Sequence, residues 1–424
     1  MDKQNQEQLH STRSGIPLGT LPRAGESRPE GDGAPGPSGQ KDAPKGKRFL
    51  PRLVIFLVTL AMVLGAVAAV VFRDSLNLDS IRRWFHYRSL SLSDSGRAES
   101  FPYGGSLTDT FAVLDGDLLV CSANTISLFS GSGTQYVSQP VTMNTPVVNT
   151  NGSLAVVYDA GGDELYVLGQ RELIWQSEDM QSILSARLNQ SGYLTVVTQA
   201  SGYRGSVTVY DPSYQPLMSV NLSSAFVMDA ALSDDGRTLA IFTVGQSDGV
   251  FNTSLSLYTL NTGGSGEFTP DLTLPLGSTV VLDVDHTQDK VWMVSDHGLY
   301  LSDHQGHTIS ADWSSMHLKR YTLAGDGFAA ALLGKYRAGS QAQLWVVDAQ
   351  GEKRTLSIDQ QVLALSAAGR YVGVLTGDRL DIYLADTLEL YASLEGTQGA
   401  RNMVLLEDGS AILISAETAS FYVP

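Results

Sequence analysis

The chain has 424 residues, of which 44 are acidic and 28 are lysine or arginine, so its formal net charge is −16. Its single cysteine, Cys121, excludes an intrachain disulfide framework, a CxxC redox motif, a cysteine-rich zinc site and an iron–sulfur cluster. An apolar content of 43% is sufficient for a sizeable core.

The N-terminal 48 residues contain six prolines and many glycines, and they show no periodic apolar pattern. A segment of this composition cannot bury enough apolar surface to offset the entropy of ordering its chain. Residues 1–48 are therefore predicted to be a disordered cytoplasmic tail.

A single transmembrane helix is predicted over residues 49–72. The stretch from Leu53 to Phe72 has 20 residues, no charge and one polar side chain, Thr59. A helix of that length, at about 1.5 Å per residue, spans the roughly 30 Å hydrocarbon core of a bilayer. A cleaved signal peptide or a buried core helix is the alternative, but a signal peptide has a shorter apolar run nearer to the N-terminus. Lysines and arginines are denser before this stretch, which predicts a cytoplasmic N-terminus and a C-terminal domain outside the plasma membrane.

Residues 73–85 are predicted to be a juxtamembrane stalk. Its aromatic side chains Trp84 and Phe85 follow two arginines, a combination typical of the lipid headgroup region. Together with Leu53 and Phe72 at the two ends of the span, they are the predicted membrane-anchor residues. Trp84 and Phe85 fit equally well against the base of the folded domain, and the sequence leaves both interpretations open.

From residue 86 onward the chain consists of short apolar runs separated by turns rich in Gly, Asp, Asn and Ser, which predicts strands. A Gly or Asp turn followed by a strongly apolar strand recurs eight times, most clearly at residues 115–120 and 235–240. The turns between 116 and 409 define seven intervals of about 42 residues, the length of a four-stranded propeller blade. Residues 86–424 are thus predicted to be an all-β domain, a β-propeller with eight blades rather than seven. A pair of β-sandwiches is the competing fold.

Two irregularities in this repeat carry further predictions. The fourth unit is long because of residues 245–252 and 262–270, which are rich in Gly, Ser and Thr and are predicted to be loops. The last unit has three predicted strands, near 402–406, 411–415 and 420–423, which leaves an unpaired edge. Residues 87–93 (YRSLSLS) alternate with period two and are predicted to be the N-terminal strand that closes the ring.

Units such as residues 344–351 (LWVVDAQG), with their aromatic-x-x-Asp-x-x-Gly ending, resemble quinoprotein-type and WD40-type propeller repeats. The order of tail, span, stalk and propeller also resembles a family of single-pass, membrane-anchored propeller proteins of Gram-positive bacteria with no assigned chemistry. The resemblance covers residues 49–424 and implies the propeller fold. It implies no cofactor, because the tryptophans of the repeats do not occupy one constant position as in quinoproteins; these are Trp175, Trp292, Trp313 and Trp345.

Five of the seven histidines lie within 32 residues, and they are the best candidates for metal ligands. His304 and His307 have a His-x-x-His spacing that offers two nitrogen ligands for zinc or copper, and Asp303 is placed to orient one of them. These residues fall at predicted hairpin turns, where a solvated histidine needs no metal. Hence no metal, cofactor-binding or catalytic residue is assigned, and Cys121 is predicted to be a core residue.

Residues 1–52 carry a net charge of +3 and the remainder carries −19, which argues against nucleic acid as a partner. The predicted function is that of a membrane-anchored, extracytoplasmic binding or scaffold protein. Its propeller would bind a protein, a peptide or an envelope polymer without catalysis. The alternatives are an enzyme (a hydrolase, lyase or oxidoreductase) with its site at the channel mouth, and a ligand sensor.

Overall fold

The structure is a computed structural model, and it describes residues 54–60, 62–63, 83, 87–88, 90–177, 180–247, 249–260 and 264–424. The predicted tail (1–48) and most of the predicted span and stalk lie outside these residues, as do Leu53, Phe72, Trp84 and Phe85. Residues 54–60 and 62–63 are helical, with exposed side chains. Within the described part of the chain, no helix combines the length and the apolar character that crossing a membrane requires.

The described residues from 101 to 422 form 33 strands in eight antiparallel blades, which confirms the predicted all-β, eight-bladed propeller. In the first four blades the strands, from the innermost outward, are β2 (Thr110–Leu114), β3 (Asp117–Cys121), β4 (Thr125–Phe129) and β5 (Gln135–Pro140); β6 (Pro146–Thr150), β7 (Leu154–Asp159), β8 (Leu165–Gly169) and β9 (Glu172–Ser177); β10 (Ile183–Leu188), β11 (Leu194–Thr198), β12 (Gly205–Tyr210) and β13 (Pro216–Leu222); and β14 (Phe226–Leu232), β15 (Thr238–Ser247), β16 (Val250–Thr259) and β18 (Leu272–Gly277).

In blades five to eight the strands are β19 (Val281–His286), β20 (Lys290–Ser295), β21 (Gly298–Asp303) and β22 (Thr308–Asp312); β23 (His317–Gly325), β24 (Phe328–Gly334), β25 (Ala342–Asp348) and β26 (Lys353–Ile358); β27 (Ala364–Ala368), β28 (Tyr371–Leu375), β29 (Arg379–Leu384) and β30 (Leu390–Glu395); and β31 (Asn402–Leu405), β32 (Ala411–Ile414), β33 (Thr418–Tyr422) and β1 (Phe101–Pro102).

The inner strands stand side by side in a closed circle, in the order β2, β6, β10, β14, β19, β23, β27 and β31, with β31 again beside β2. Since the strands of each blade run alternately up and down, the turns between first and second strands all lie on one face, called here the lower face. The opposite, upper face carries the hairpins between second and third strands and the links from blade to blade. Loops on such a face are free to vary without disturbing the sheets.

The core is divided among the spaces between neighbouring blades, where apolar side chains form eight clusters. The second and third strands are covered on both sides, so most of their residues are buried, and every residue of β3 and β8 is buried. Strands covered on both sides have nearly continuous apolar sequences, which explains the strong apolar run after each turn. Cys121 is fully buried in this core, as predicted.

The prediction that residues 87–93 form the closing strand is wrong. The outer edge of blade eight is taken by β1, with Phe101 opposite Ala419, and by a bridge between Arg97 and Tyr422. The links from an outer strand to the next inner strand are short throughout the ring. A strand ending at Ser93 would lie too far from Thr110 to make such a link, whereas Pro102 lies close enough.

The two predicted loops of the fourth unit are also corrected. Residues 245–247 and 250–252 continue the two strands of the β15–β16 hairpin, with Gly245 opposite Asn252, so this hairpin extends above its neighbours on the upper face. Part of 262–270 forms β17 (Gly264–Gly266), which pairs in parallel with β13 of blade three. The β-branched and aromatic side chains Val250, Phe251 and Thr253 favour strand over loop.

The chain enters the propeller on the lower face, between blades seven and eight. Arg83 is buried, and its Nη2 donates a 2.7 Å hydrogen bond to the hydroxyl of Tyr391. Tyr87 is also buried, with its ring centroid 6.3 Å from that of Phe421. These contacts hold Arg83 and Tyr87 against the base of the domain, whereas Trp84 and Phe85 lie outside the described residues.

Candidate functional site

Blades three to six share a feature at the upper end of their inner strands, a β-bulge that the other inner strands lack among the described residues. The register shifts fall at equivalent places: Ile183/Ser185, Val227/Asp229, Val281/Asp283 and Leu318/Arg320. A bulge inserts one extra residue and re-aims the neighbouring side chains. Here it brings one polar or charged residue per blade to the same level of four adjacent strands; these are Ser185, Asp229, Asp283 and Arg320.

Arg187, two residues after Ser185 on the same strand, joins three of these blades. Its guanidinium donates to both carboxylate oxygens of Asp229, at 2.6 to 3.1 Å, and to Oδ1 of Asp283 at 2.7 Å. The hydroxyl of Ser185 donates a further 2.7 Å bond to Asp229. Burial opposes the charge of Arg187, but the two carboxylates outweigh it and hold the pKa of Arg187 above its usual range.

This network stabilises the fold in addition to shaping the site. The side chains of Arg187, Asp229 and Asp283 retain 21%, 17% and 29% of their exposure, respectively. A largely buried ion pair is costly to break, because the remaining charge loses its partner. The arrangement therefore fixes the relative positions of blades three, four and five at the upper mouth of the channel.

Further down the inner strand of blade five, burial disfavours the charged forms of both Asp285 and His286. Burial, reinforced by the nearby Asp234 and only partly offset by Arg187, raises the pKa of Asp285 to about 6. Burial lowers the pKa of His286 to about 4. Both groups thus change charge at mildly acidic pH.

His286 is paired with one of the predicted metal-ligand candidates. Its Nδ1 lies 3.0 Å from the carbonyl oxygen of Ala231 and therefore carries the proton that it donates there. Its Nε2 lies 2.9 Å from Nε2 of His304, so His304 is the donor in that second bond. His286 is therefore neutral in this arrangement.

The predicted His-x-x-His pair does not converge. His304 is directed to His286, whereas Nδ1 of His307 bonds its own turn residue Asp303 at 2.8 Å. Across the residues that the structure describes, no group of three or more His, Cys, Asp or Glu side chains is arranged to hold a metal ion.

The prominent surface feature is an apolar cavity between blades four and five. Five side chains that are 46–66% exposed surround it on the upper face; they are Met228, Val250, Phe251, Val280 and Leu282. The cavity has a volume of about 670 Å³, and it is also lined by the buried Phe242 and by Asp229 and Asp283. Met228 and Leu282 are the extra residues of two bulges, and Val250 and Phe251 belong to the extended hairpin.

The sequence of the hairpin also contains a G-x-S-x-G pattern, residues 245–249 (GQSDG). In nucleophile elbows the serine of this pattern sits on a turn from a strand into a helix. Here Gly245 and Ser247 end β15, and the chain continues into the antiparallel strand β16. The strand-to-helix geometry of an elbow is therefore not formed.

The sequence was compared with known families and with curated proteins. No curated protein matches the sequence significantly. Residues 98–395 match a family described as "Family of unknown function (DUF5711)", which is well over half of the chain. The chain belongs to DUF5711. The DUF5711 match covers blades one to seven and the strand that completes blade eight.

Solved structures similar to this DUF5711 protein include the C-terminal WD40 domain of Sif2, with 14% identity, a TM-score of 0.52, and coverage of 76% of this chain and 98% of that one. This likeness supports the propeller fold. BamB from Moraxella catarrhalis is 17% identical, with a TM-score of 0.46 and coverage of 77% and 99%. Hsv2 of Kluyveromyces lactis is 13% identical, with a TM-score of 0.41 and coverage of 64% and 89%.

Proposed function

We propose that this DUF5711 protein is a binding protein of the plasma membrane, anchored by residues 49–72, whose extracytoplasmic propeller binds a partner polypeptide on its upper face without catalysis. Support for the anchor comes from the uncharged 20-residue stretch and the cations that precede it. Leu53 and Phe72 end that stretch, and Trp84 and Phe85 remain proposed anchor residues beyond it.

The exposed apolar cavity of blades four and five is the observation that carries this proposal. Soluble proteins seldom expose a contiguous cluster of large apolar side chains unless it serves an interaction. Full burial of one such side chain is worth about 1.5–3 kcal/mol, so the five together are a strong source of binding energy. The upper face also lies opposite to the face where the chain enters, which leaves it open to a partner.

The chemistry of the cavity favours a polypeptide over an envelope polymer. Polymers of sugars or phosphates carry few apolar groups and would leave the surfaces of Val250, Phe251 and Leu282 exposed to water. The side chains of a polypeptide would fill the cavity. Aromatic and aliphatic anchors inserted in a pocket are the usual centre of a protein interface.

The test replaces the apolar rim of the cavity. Full-length protein carrying Val250→Asp together with Phe251→Ser is cross-linked in its own membranes and purified beside the wild type. We expect the amount of copurified partner to be about tenfold lower with the variant than with the wild type, because the loss of these two side chains costs at least about 1.4 kcal/mol of binding free energy. Leu390→Asp is the matched control, since Leu390 is 56% exposed in the outer strand of blade seven.

Both changes replace exposed side chains, so each should alter the free energy of unfolding by less than about 0.5 kcal/mol. Equal recovery of the partner with the cavity variant and with Leu390→Asp would exclude the cavity as the binding site.

A further inference from the structure

Next to the apolar cavity, blade six carries a basic cleft, although residues 53–424 contain twice as many acidic as basic residues. The cleft has a volume of about 510 Å³. Its charged and polar lining residues are His317, Lys319, Arg320, Arg337, Ser340 and Gln361. Such a concentration of cations is unusual for this domain and calls for an anionic partner.

The cations of the basic cleft are available for binding. Arg320 and Arg337 are exposed, and among the described residues neither has a carboxylate within ion-pair distance. Lys319 is held in place, because its Nζ donates a 2.5 Å hydrogen bond to the carbonyl oxygen of Gly339 in the hairpin above it. An exposed carboxylate, Asp359, lies in the link that follows β26.

The basic cleft and the apolar cavity are lined by neighbouring inner strands on the upper face. The inner strands β19 and β23 are neighbours, and the hydroxyl of Tyr321 lies 3.5 Å from the carbonyl oxygen of Leu282. Arg320 occupies the bulge position that Asp283 occupies in blade five. Arg187 is shared between Asp229 and Asp283, so these three side chains carry a net charge of −1, whereas Arg320 at the equivalent position of blade six has no carboxylate partner among the described residues.

We propose that the basic cleft selects the partner, which presents acidic residues directly beside the apolar residues that fill the cavity. This inference rests on the proposed binding of a polypeptide by the upper face. Charges at the rim of an interface act mainly on partner choice and association rate, whereas the apolar anchors supply most of the affinity. An anionic bilayer has the same charge and apolar character, but a flat lipid surface does not fill two concave sites.

The experiment is a selection from a random 16-residue peptide library displayed on phage, with immobilised full-length protein. Three proteins are compared: the wild type, the double variant Arg320→Glu and Arg337→Glu, and the control Arg401→Glu, an exposed arginine beside the inner strand of blade eight. We expect the wild type and the control to enrich peptides with negative charges adjoining apolar residues. The double variant should bind those peptides about tenfold more weakly, and 500 mM salt should weaken their binding to the wild type.

Each outcome has a distinct meaning. Enrichment of apolar peptides without acidic residues, retained by the double variant, overturns the proposed selectivity but leaves the proposed function intact. Failure of every protein to enrich any peptide overturns the proposed function itself. Flotation with vesicles of phosphatidylglycerol and phosphatidylcholine is run in parallel; vesicle binding that the double variant loses, without peptide enrichment, identifies a lipid surface instead and overturns the inference.

Discussion

Asp285 and His286 are neighbours on the inner strand of blade five, and burial moves their pKa values in opposite directions from ordinary values of 3.8 and 6.5. Between about pH 4 and 6, native Asp285 keeps a proton that the unfolded chain has lost, so stability falls as the pH rises. Between about pH 4 and 6.5, the unfolded chain binds a proton at His286 that the native state lacks, so stability rises with pH. The two effects largely offset one another in the wild type.

The substitution Asp285→Asn removes one of these opposing contributions. We expect the variant to be more stable than the wild type at pH 7.5 by about 1–2 kcal/mol, because a partly buried charge is no longer formed. Below pH 6.5 its free energy of unfolding should fall more steeply than that of the wild type, since the proton uptake at His286 is no longer masked. Urea denaturation at pH 4.5, 5.5, 6.5 and 7.5 measures both effects.

Asp163→Asn is the control for this comparison, because Asp163 is exposed in the turn between β7 and β8. Its stability profile should run parallel to that of the wild type. If the Asp285→Asn profile is parallel as well, the ionisation of Asp285 has no part in the pH dependence of folding.

Single-residue predictions from the sequence succeeded where local chemistry decides. Cys121 could be assigned to the core from its strongly apolar neighbours, and glycine turns such as that of Gly236, with a φ of 70°, could be assigned from their composition. The Arg187 network could not be predicted, because its members lie 42 and 96 residues from Arg187 in the sequence. Only the closure of the ring brings three inner strands together.

Among the elements, the short strand β1 is the one that closes the ring. Its Phe101 is buried, and the ring centroid lies 6.0 Å from that of Phe129 in blade one. Gly133, with a φ of 81°, lies so close that a Cβ there would stand 2.5 Å from the Cβ of Phe101. The strand therefore joins the last blade to the first, although only Phe101 and Pro102 belong to it.

Phe101→Ala is expected to lower the free energy of unfolding by about 3–5 kcal/mol, because a buried phenyl ring is lost and the cavity cannot be refilled. Leu92→Ala, within the segment that the sequence pattern favoured for this strand, should change it by less than about 0.5 kcal/mol, since Leu92 is 41% exposed. Guanidinium denaturation of both variants gives the comparison. Equal losses would mean that residues 87–93 contribute to closure as much as β1 does.

The elements were predicted well where one pattern repeats and poorly where a blade departs from it. The turn-and-strand motif located the second strand of the blades, because both faces of that strand are buried and its sequence is strongly apolar. The bulges at Asp229 and Asp283 leave no mark in composition, since they displace the register by one residue. The tip of the β15–β16 hairpin was mistaken for a loop because its Gly and Ser residues were given more weight than Val250, Phe251 and Thr253, which favour a strand.

At the scale of the whole molecule, stability depends on a ring in which each blade packs against its two neighbours. The eight apolar clusters lie between blades, so no blade has a core of its own. Separation of two neighbouring blades therefore exposes an apolar surface on each of them. The contact between blade eight and blade one is the one most easily lost, because the outer strand of blade eight, β1, precedes blade one in the sequence instead of following β33.

Two truncated chains test this joint, one beginning at residue 86 and one at residue 104. The first keeps Tyr87, the bridge of Arg97 to Tyr422 and β1, so it should unfold in a single cooperative transition as a monomer. The second loses β1 and leaves the edge of β33 unpaired, and it also removes Tyr87, which packs against the fully buried Phe421. An unpaired edge of this kind favours association between chains. We expect it to melt at least 10 °C lower and to elute as oligomers in size-exclusion chromatography. Two monomers with equal melting temperatures would show that the ring holds without its N-terminal strand.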